Sequence, residues 1–359
     1  MTITILLGDV LDRLRQLPAD SVHCVVTSPP YWGLRDYGVA GQIGLEPTYQ
    51  EHISKMVEVF REVRRVLRPD GTCWMNYGDC YASSVNGRSA ADSKATGTDD
   101  LTFRDKPFST VQGVLKPKDL VMMPHRIAIS LQEDGWWVRS DIVWHKTNSM
   151  PCSVKDRPTP AKEYLFLLTK SARYFYDGDA IREPRTSDED AATFRGGCYV
   201  SGLIDNDQMG KRQVVGNRKV PARDNFRRDG SNRAEPMIGQ TCGTHRPDRK
   251  DTVPAEDGLR NRRDVWSIAT EPFSEAHFAT MPTRLVEPCI LAGCPSGGVV
   301  LDPFFGAGTV GLVAQRLARH AIGVELNTDY VAIAEKRLRD DAPLLADVRV
   351  VAGDYRESA

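Results

Sequence analysis

Val299-Val300-Leu301-Asp302-Pro303-Phe304-Phe305-Gly306-Ala307-Gly308-Thr309-Val310-Gly311 passes from an aliphatic run, through an acid and a glycine loop, into a helical pattern. The short apolar run reads as a buried strand and Val310–Arg319 as a helix. A glycine loop between them lets a ligand approach the backbone where the helix begins. Working outward, Ala321–Val324 is the next predicted strand, ending at Glu325, and Tyr330–Leu338 the next helix. The other end of the chain repeats the alternation. Thr2–Leu7 is a strand, Val10–Gln16 a helix and Val22–Thr27 a strand that is apolar on both faces, as buried parallel strands are. Thr48–Leu67 has helical apolar spacing and meets a stop at Arg68-Pro69-Asp70-Gly71, before a strand over Thr72–Tyr77. Met123–Asp134 and Thr283–Ala292 are predicted helices, and Val138–His145 and Tyr164–Thr169 strands. Strands alternating with helices imply an α/β fold, a mostly parallel twisted sheet with helices on both faces.

Composition sets the limits. The chain has 359 residues, 41% of them hydrophobic, enough for a large core. Its net charge of −1 is no global nucleic-acid signature, so basic surface must be local. It is found in 211–250, where eleven Lys/Arg face four Asp/Glu. No run approaches the ~18 apolar residues of a membrane span. The start Met1–Asp9 lacks a basic segment and cleavage site, so a cytoplasmic protein is expected. Eight cysteines form no CxxC pair and read as free thiols. Cys198, Cys242 and His245 lack an obvious fourth ligand, so no metal is expected. Two stretches, about 82–118 and 178–263, are polar and short of regular patterning. The expected organisation is residues 1–177 as one half of the core with a long loop, 178–263 as an irregular basic insert, and 264–359 as the other half.

In open α/β sheets, ligands bind beyond the carboxyl ends of the strands. Four such ends carry an acid or a special turn: Gly8-Asp9, Ser28-Pro29-Pro30-Tyr31, Asp302 to Thr309, and Glu325. The loop Gly306-Ala307-Gly308-Thr309-Val310-Gly311 and Glu325, which suits a ribose diol, fit NAD or S-adenosylmethionine equally. Asp302 favours the second, because a carboxylate meets an α-ammonium but repels a pyrophosphate. Asp9 reads either as an acceptor for an adenine amine or as the N-cap of the following helix.

Val25-Val26-Thr27 leads straight into Ser28-Pro29-Pro30-Tyr31-Trp32. Prolines have no amide hydrogen and stiffen the residues before them. The segment therefore offers carbonyl oxygens and the Ser28 hydroxyl, with the Tyr31 and Trp32 rings beside them. Such a site suits a planar ring bearing an exocyclic NH₂. Holding both N–H groups on fixed acceptors draws the nitrogen toward tetrahedral form and aims its lone pair out of the ring plane. Alignment with a methyl sulfonium then supplies most of the rate. Ser28 is no strong base, so the proton is expected to leave late, to water. In duplex DNA the base must first be flipped out.

Taken together, these residues resemble the DNA amino-methyltransferases, specifically the permuted beta group in which the catalytic motif precedes the cofactor motif. Ser28, Pro29, Pro30 and Tyr31 match its catalytic motif. Asp302, Phe304, Gly306, Gly308 and Thr309 match its cofactor loop, and Glu325 its ribose acid. His277, Phe278, Thr280 and Pro282 fall in the segment that borders the methionine moiety, and Asp9 matches the acid on the strand before the catalytic motif. The resemblance covers roughly 1–80, 120–175 and 265–340. It implies a Rossmann-like methyltransferase fold, S-adenosyl-L-methionine as cofactor and double-stranded DNA as partner, with 178–263 where the group keeps its target-recognition region. A homodimer and a cognate restriction endonuclease are further expectations of the resemblance. Serine at the first motif position is commoner in N4-cytosine enzymes, so cytosine N4 is the expected target and adenine N6 the alternative. The segment Val348–Tyr355 repeats the strand-Gly-Asp pattern of the N-terminus, and the N-terminal copy is expected beside the cofactor.

Rival classes fit less well. A C5-cytosine enzyme needs a Pro-Cys nucleophile, but Cys289 lies in a helical apolar pattern and Cys152 lacks the accompanying acidic motif. A protein glutamine-amide methyltransferase usually carries Asn at position 28. A non-catalytic DNA-binding protein has no use for both motifs. Trp136-Trp137 reads as core or interface, and Trp144-His145-Lys146 as either structural or substrate-facing.

Overall fold

Both faces of each central strand are apolar, and each face is covered. Ile3 and Ile5 pack with one set of helices, while Leu6 packs with the other. The same alternation separates Val25 from Cys24 and Val26, and Cys73 and Met75 from Trp74, following the two-residue period of a strand. The computed structural model describes residues 1–83, 108–184, 258–273, 280–343 and 347–355. In chain order the elements are β1 (Thr2–Leu7), α1 (Val10–Gln16), β2 (Val22–Thr27), α2 (Tyr49–Val66), β3 (Leu67–Tyr77), α3 (Met123–Glu133), β4 (Trp137–His145) and β5 (Lys162–Thr169). There follow β6 (Glu183–Pro184), β7 (Leu259–Arg260), β8 (Val265–Ser267), α4 (Thr283–Gly293), β9 (Val299–Asp302), α5 (Thr309–Arg316), β10 (His320–Glu325), α6 (Thr328–Asp341) and β11 (Asp347–Val351).

Nine strands form one sheet in the order β11-β1-β10-β9-β2-β3-β5-β4-β8. Only β5 runs antiparallel to its neighbours, β3 and β4. Helices α1, α2 and α3 contribute to the core on one face, and α4, α5 and α6 to that on the other. Two compact units are distinguished, residues 1–181 with 263–359, and residues 182–262. The sheet and helices belong to the first. Of the second, the described residues include the short antiparallel pair β6–β7. Most of the basic stretch, including Cys198, Cys242 and His245, lies outside the described residues, as does 84–107 of the polar loop.

Some element boundaries differ from expectation. Helix α2 ends at Val66 and β3 begins at once, running through Arg68-Pro69-Asp70-Gly71. The β2–β3 register shifts between Val22 and Cys24, and this irregularity absorbs the extra residues. Helix α5 ends at Arg316 rather than Arg319, because Ala318 adopts a left-handed conformation with φ 59°.

Two facts of topology position the site. Strands β2 and β9 are neighbours, yet the chain leaves β2 toward β3 and leaves β9 toward β10, on opposite sides. Their carboxyl ends are therefore a topological switch point, where a crevice opens. The duplicated strand-Gly-Asp pattern is resolved by pairing: β1 lies beside β10, and β11 lies outside β1. Buried Arg13 ties the copies together, donating to the Leu7 carbonyl and to those of Ala352 and Gly353.

Candidate active site

A cavity of about 360 Å³ opens at this switch point, within the size range of small-molecule sites. Asp9, Ser28, Pro29, Pro30, Tyr31, Thr280, Asp302, Phe304, Gly306, Thr309 and Glu325 all line it. Gly308 and Pro282, expected at the ligand, are not among its lining residues. Gly308 takes φ 75° and caps α5, and Pro282 caps α4, while Met281 beside it lines the cavity. Both turn the chain rather than form the wall. His277 and Phe278 lie outside the described residues.

The β9–β10 end carries two buried acids. Asp302 is 2% exposed, and its Oδ1 accepts from the Thr27 hydroxyl at 2.7 Å and the Phe304 amide at 3.0 Å. Among the described residues no cationic side chain pairs with it. Burial accordingly pushes its pKa up to about 7, against the pull of those two donors. A cavity wall bearing a buried carboxylate without a cation fits a ligand ammonium. Glu325 accepts from the Gly306 amide at 2.7 Å through Oε2 and from the Asn327 amide at 2.8 Å through Oε1. Burial raises its pKa too, opposed by these amides. A carboxylate has about four acceptor sites, so room is left for two hydroxyl donors. Asp9 Oδ1 caps α1 by accepting from the Leu11 and Asp12 amides, and the residue also lines the cavity.

The glycines of this end serve packing as much as a ligand. Gly306 has φ 51°, which favours glycine. Gly311 and Gly323 instead make room for the buried Phe305 ring. A Cβ at Gly311 would come within 2.6 Å of that ring, and one at Gly323 within 2.3 Å.

The β2–β3–β5 end is polar and built from distant segments. Ser28 Oγ lies 3.3 Å from the Tyr31 hydroxyl and 3.4 Å from Asn76 Nδ2. The Tyr31 hydroxyl donates to Glu163 Oε2 at 2.9 Å, and Asn76 Nδ2 reaches the same oxygen at 2.9 Å. Lys146 pairs with Glu163 Oε1 and lies over the Trp144 ring at 4.7 Å. Asn76, Trp144, Lys146 and Glu163 all line the cavity. A Cβ at Gly78 would approach the Tyr31 ring to 2.7 Å, so glycine there makes room for the tyrosine.

Two expectations for this loop are corrected. Trp32 is no wall of the cavity: it is buried in the core, its indole donating to the Glu46 carbonyl at 2.9 Å. Nor are both proline carbonyls open, because the Tyr77 hydroxyl donates to Pro30 O at 3.2 Å. Tyr77 is itself held by the fully buried His52 at 2.8 Å, whose other ring nitrogen bonds Glu46. Pro30 is thus anchored toward the core, and Ser28 Oγ is the hydroxyl that the loop brings to the cavity.

Sequence reasoning missed Thr27, Asn76 and Glu163. Asn76 was within reach, because Asn76-Tyr77-Gly78-Asp79 is another strand end followed by Gly-Asp. Glu163 opens a strand, and only the reversed direction of β5 brings that opening to the site.

Comparison with known proteins identifies the family and the fold. A family model described as DNA methylase matches residues 22–336. Type II methyltransferase M.Cfr9I of Citrobacter freundii is 43% identical over 338 residues, 94% of this chain and 88% of that protein. M.SmaI of Serratia marcescens is 38% identical, covering 93% of this chain and 90% of its own length. Among solved structures, TTHA0409 of Thermus thermophilus, complexed with S-adenosyl-L-methionine, superposes with a TM-score of 0.54 at 22% identity, covering 99% of this chain and 100% of that one. The PvuII DNA methyltransferase, described as cytosine-N4-specific, gives 0.55 at 17% identity, covering 94% and 87%. At such identities the structural likeness is one of fold.

Proposed function

The chain belongs to the DNA methylase family, and from that premise we propose that it methylates the N4 amine of cytosine in double-stranded DNA. Its class is plain: an enzyme of the N4/N6 amino-methyltransferase family that uses S-adenosyl-L-methionine, with Type II restriction-modification methyltransferases as relatives. The choice of cytosine, the target sequence, a cognate endonuclease and pairing with a second copy of the chain belong to the proposal.

The observation that carries the reading is one cavity holding two unlike ends, with Ser28 at one and Asp302 and Glu325 at the other. S-adenosyl-L-methionine, when bound, supplies an electrophilic methyl group on a sulfonium. In this assignment Asp302 takes the ligand's ammonium, Glu325 its ribose hydroxyls and Gly306 the close backbone approach. Asp9 Oδ2, which accepts nothing from the described residues, takes an adenine amine. Ser28 Oγ and the Pro29 carbonyl receive the two hydrogens of the flipped base's amine. That pairing favours the out-of-plane lone pair and holds the nitrogen for in-line attack. Serine at position 28 is what favours cytosine over adenine.

The deciding experiment incubates the full chain with mixed-sequence duplex DNA and methyl-labelled donor, followed by nuclease digestion and mass spectrometry of the nucleosides. N4-methylcytosine is the expected product. N6-methyladenine would keep the class and overturn the cytosine assignment.

A further inference from the structure

We propose that Glu163 is a positioning residue that sets the direction of the Ser28 hydroxyl, through Tyr31, so that Ser28 meets the substrate amine only as an acceptor. The inference rests on the assignment of Ser28 to the amine but not on which base carries it.

A serine hydroxyl has one hydrogen and two lone pairs. Left free, it turns its hydrogen toward the cavity as readily as its lone pairs. A hydrogen facing the amine opposes the N–H groups it should receive. Some neighbour must take that hydrogen, and the network beside Ser28 does so by elimination. Glu163, paired with Lys146, offers only acceptors to the residues around it. The Tyr31 hydroxyl therefore spends its single hydrogen on Glu163 Oε2, at 2.9 Å. Burial, reinforced by the Glu163 charge, holds the Tyr31 pKa well above its ordinary value, so that hydrogen is present. The Tyr31 oxygen is then an acceptor alone. Asn76 has two amide hydrogens, with Glu163 Oε2 at 2.9 Å and Tyr31 Oη at 3.0 Å as their nearest acceptors. One lone pair of Tyr31 remains, and Ser28 Oγ stands 3.3 Å from it. The Ser28 hydrogen goes there, away from the amine, and Oγ keeps acceptor capacity for the substrate beside the Asn76 amide at 3.4 Å. That link is the longest in the relay, and such contacts shorten when substrate docks.

Two substitutions and their combination test this with the full chain, by single-turnover methylation of mixed-sequence duplex DNA. Glu163→Gln keeps the shape but adds an NH₂ that donates to Tyr31. The relay reverses, Tyr31 donates to Ser28, and the Ser28 hydrogen turns to the amine. The methyl-transfer rate should fall about 10- to 100-fold, less than the roughly 10²- to 10³-fold of a transition-state hydrogen bond removed outright, because Ser28 itself remains. Dissociation constants for DNA and for S-adenosyl-L-methionine should stay within about twofold. Tyr31→Phe removes the relay without reversing it, so its rate should fall less, by roughly threefold to tenfold. The diagnostic result is the double variant: Tyr31→Phe with Glu163→Gln should be faster than Glu163→Gln alone, because no hydroxyl is left to pass the reversed polarity to Ser28. A purely structural Glu163 gives no such rescue. The proposal fails if Glu163→Gln keeps the wild-type rate, or if the double variant is no faster than Glu163→Gln alone. Cofactor binding by each variant certifies its fold. The identity of the wild-type product separates failure of the relay from failure of the cytosine assignment.

Discussion

The two ends of the cavity are made differently. The end assigned to the cofactor comes mostly from one β–α–β unit, with Asp9 added from the turn after β1: Asp302, Phe304 and Gly306 are near neighbours in the chain, and Glu325 ends the next strand. It is stiffened from behind by a buried ring, Phe305, for which Gly311 and Gly323 vacate space. The end assigned to the base draws on β2, β3, β4 and β5, and is stiffened by polar bonds among Ser28, Tyr31, Asn76, Lys146 and Glu163. One end is shaped by packing, the other by hydrogen-bond direction. A ligand held by charge and shape tolerates the first. Amine chemistry needs the second, because it depends on which atom of each pair carries the hydrogen.

If that contrast is right, damage at the two ends should read out differently. The largest effect is expected from Ser28→Ala, about 10²- to 10³-fold in methyl-transfer rate. Cofactor affinity measured by calorimetry should stay within about twofold; a matching loss of affinity would mean that the ends are not separate. Asp302→Asn should do the reverse, weakening the cofactor about 10- to 100-fold, as for a lost charged hydrogen bond. The wild-type affinity should also fall about tenfold per pH unit below about 7, because an ammonium needs the ionised carboxylate. A flat pH profile would remove Asp302 from the ammonium. The same raised pKa makes the ligand-free protein lose stability as pH rises toward 7, since the native state holds a proton that the unfolded chain has shed. The smallest effect is Gly323→Ala, about 1–3 kcal/mol of overpacking against Phe305, read as a lower melting temperature. Phe305→Leu in the same chain should recover part of it. A neutral Gly323→Ala would mean that the wedge is not what this glycine serves.

Legibility follows the same division. The strand-to-acid-to-glycine stretch and the Ser-Pro-Pro-Tyr turn could be read directly, because each is a run of consecutive residues at the end of an apolar strand. The alternation of strands and helices likewise announced a parallel sheet. Trp32 belongs to the core rather than the cavity wall, since sequence places a ring beside the turn but not the face it takes. Pro30 is no open acceptor because the hydroxyl that engages it, Tyr77, is 47 residues away, beyond the reach of any local reading.

The sequence by itself therefore determined the fold class, the family and the two motifs, since local pattern and side-chain type are properties of the chain alone. Only the tertiary structure decided strand order and direction. It set β9 beside β2, so that Thr27 meets Asp302 across 275 residues. By reversing β5 it also carried Glu163 to Tyr31, 132 residues away. Hydrogen-bond partners at such separations are chosen by the packing of the sheet, to which no local stretch of sequence refers.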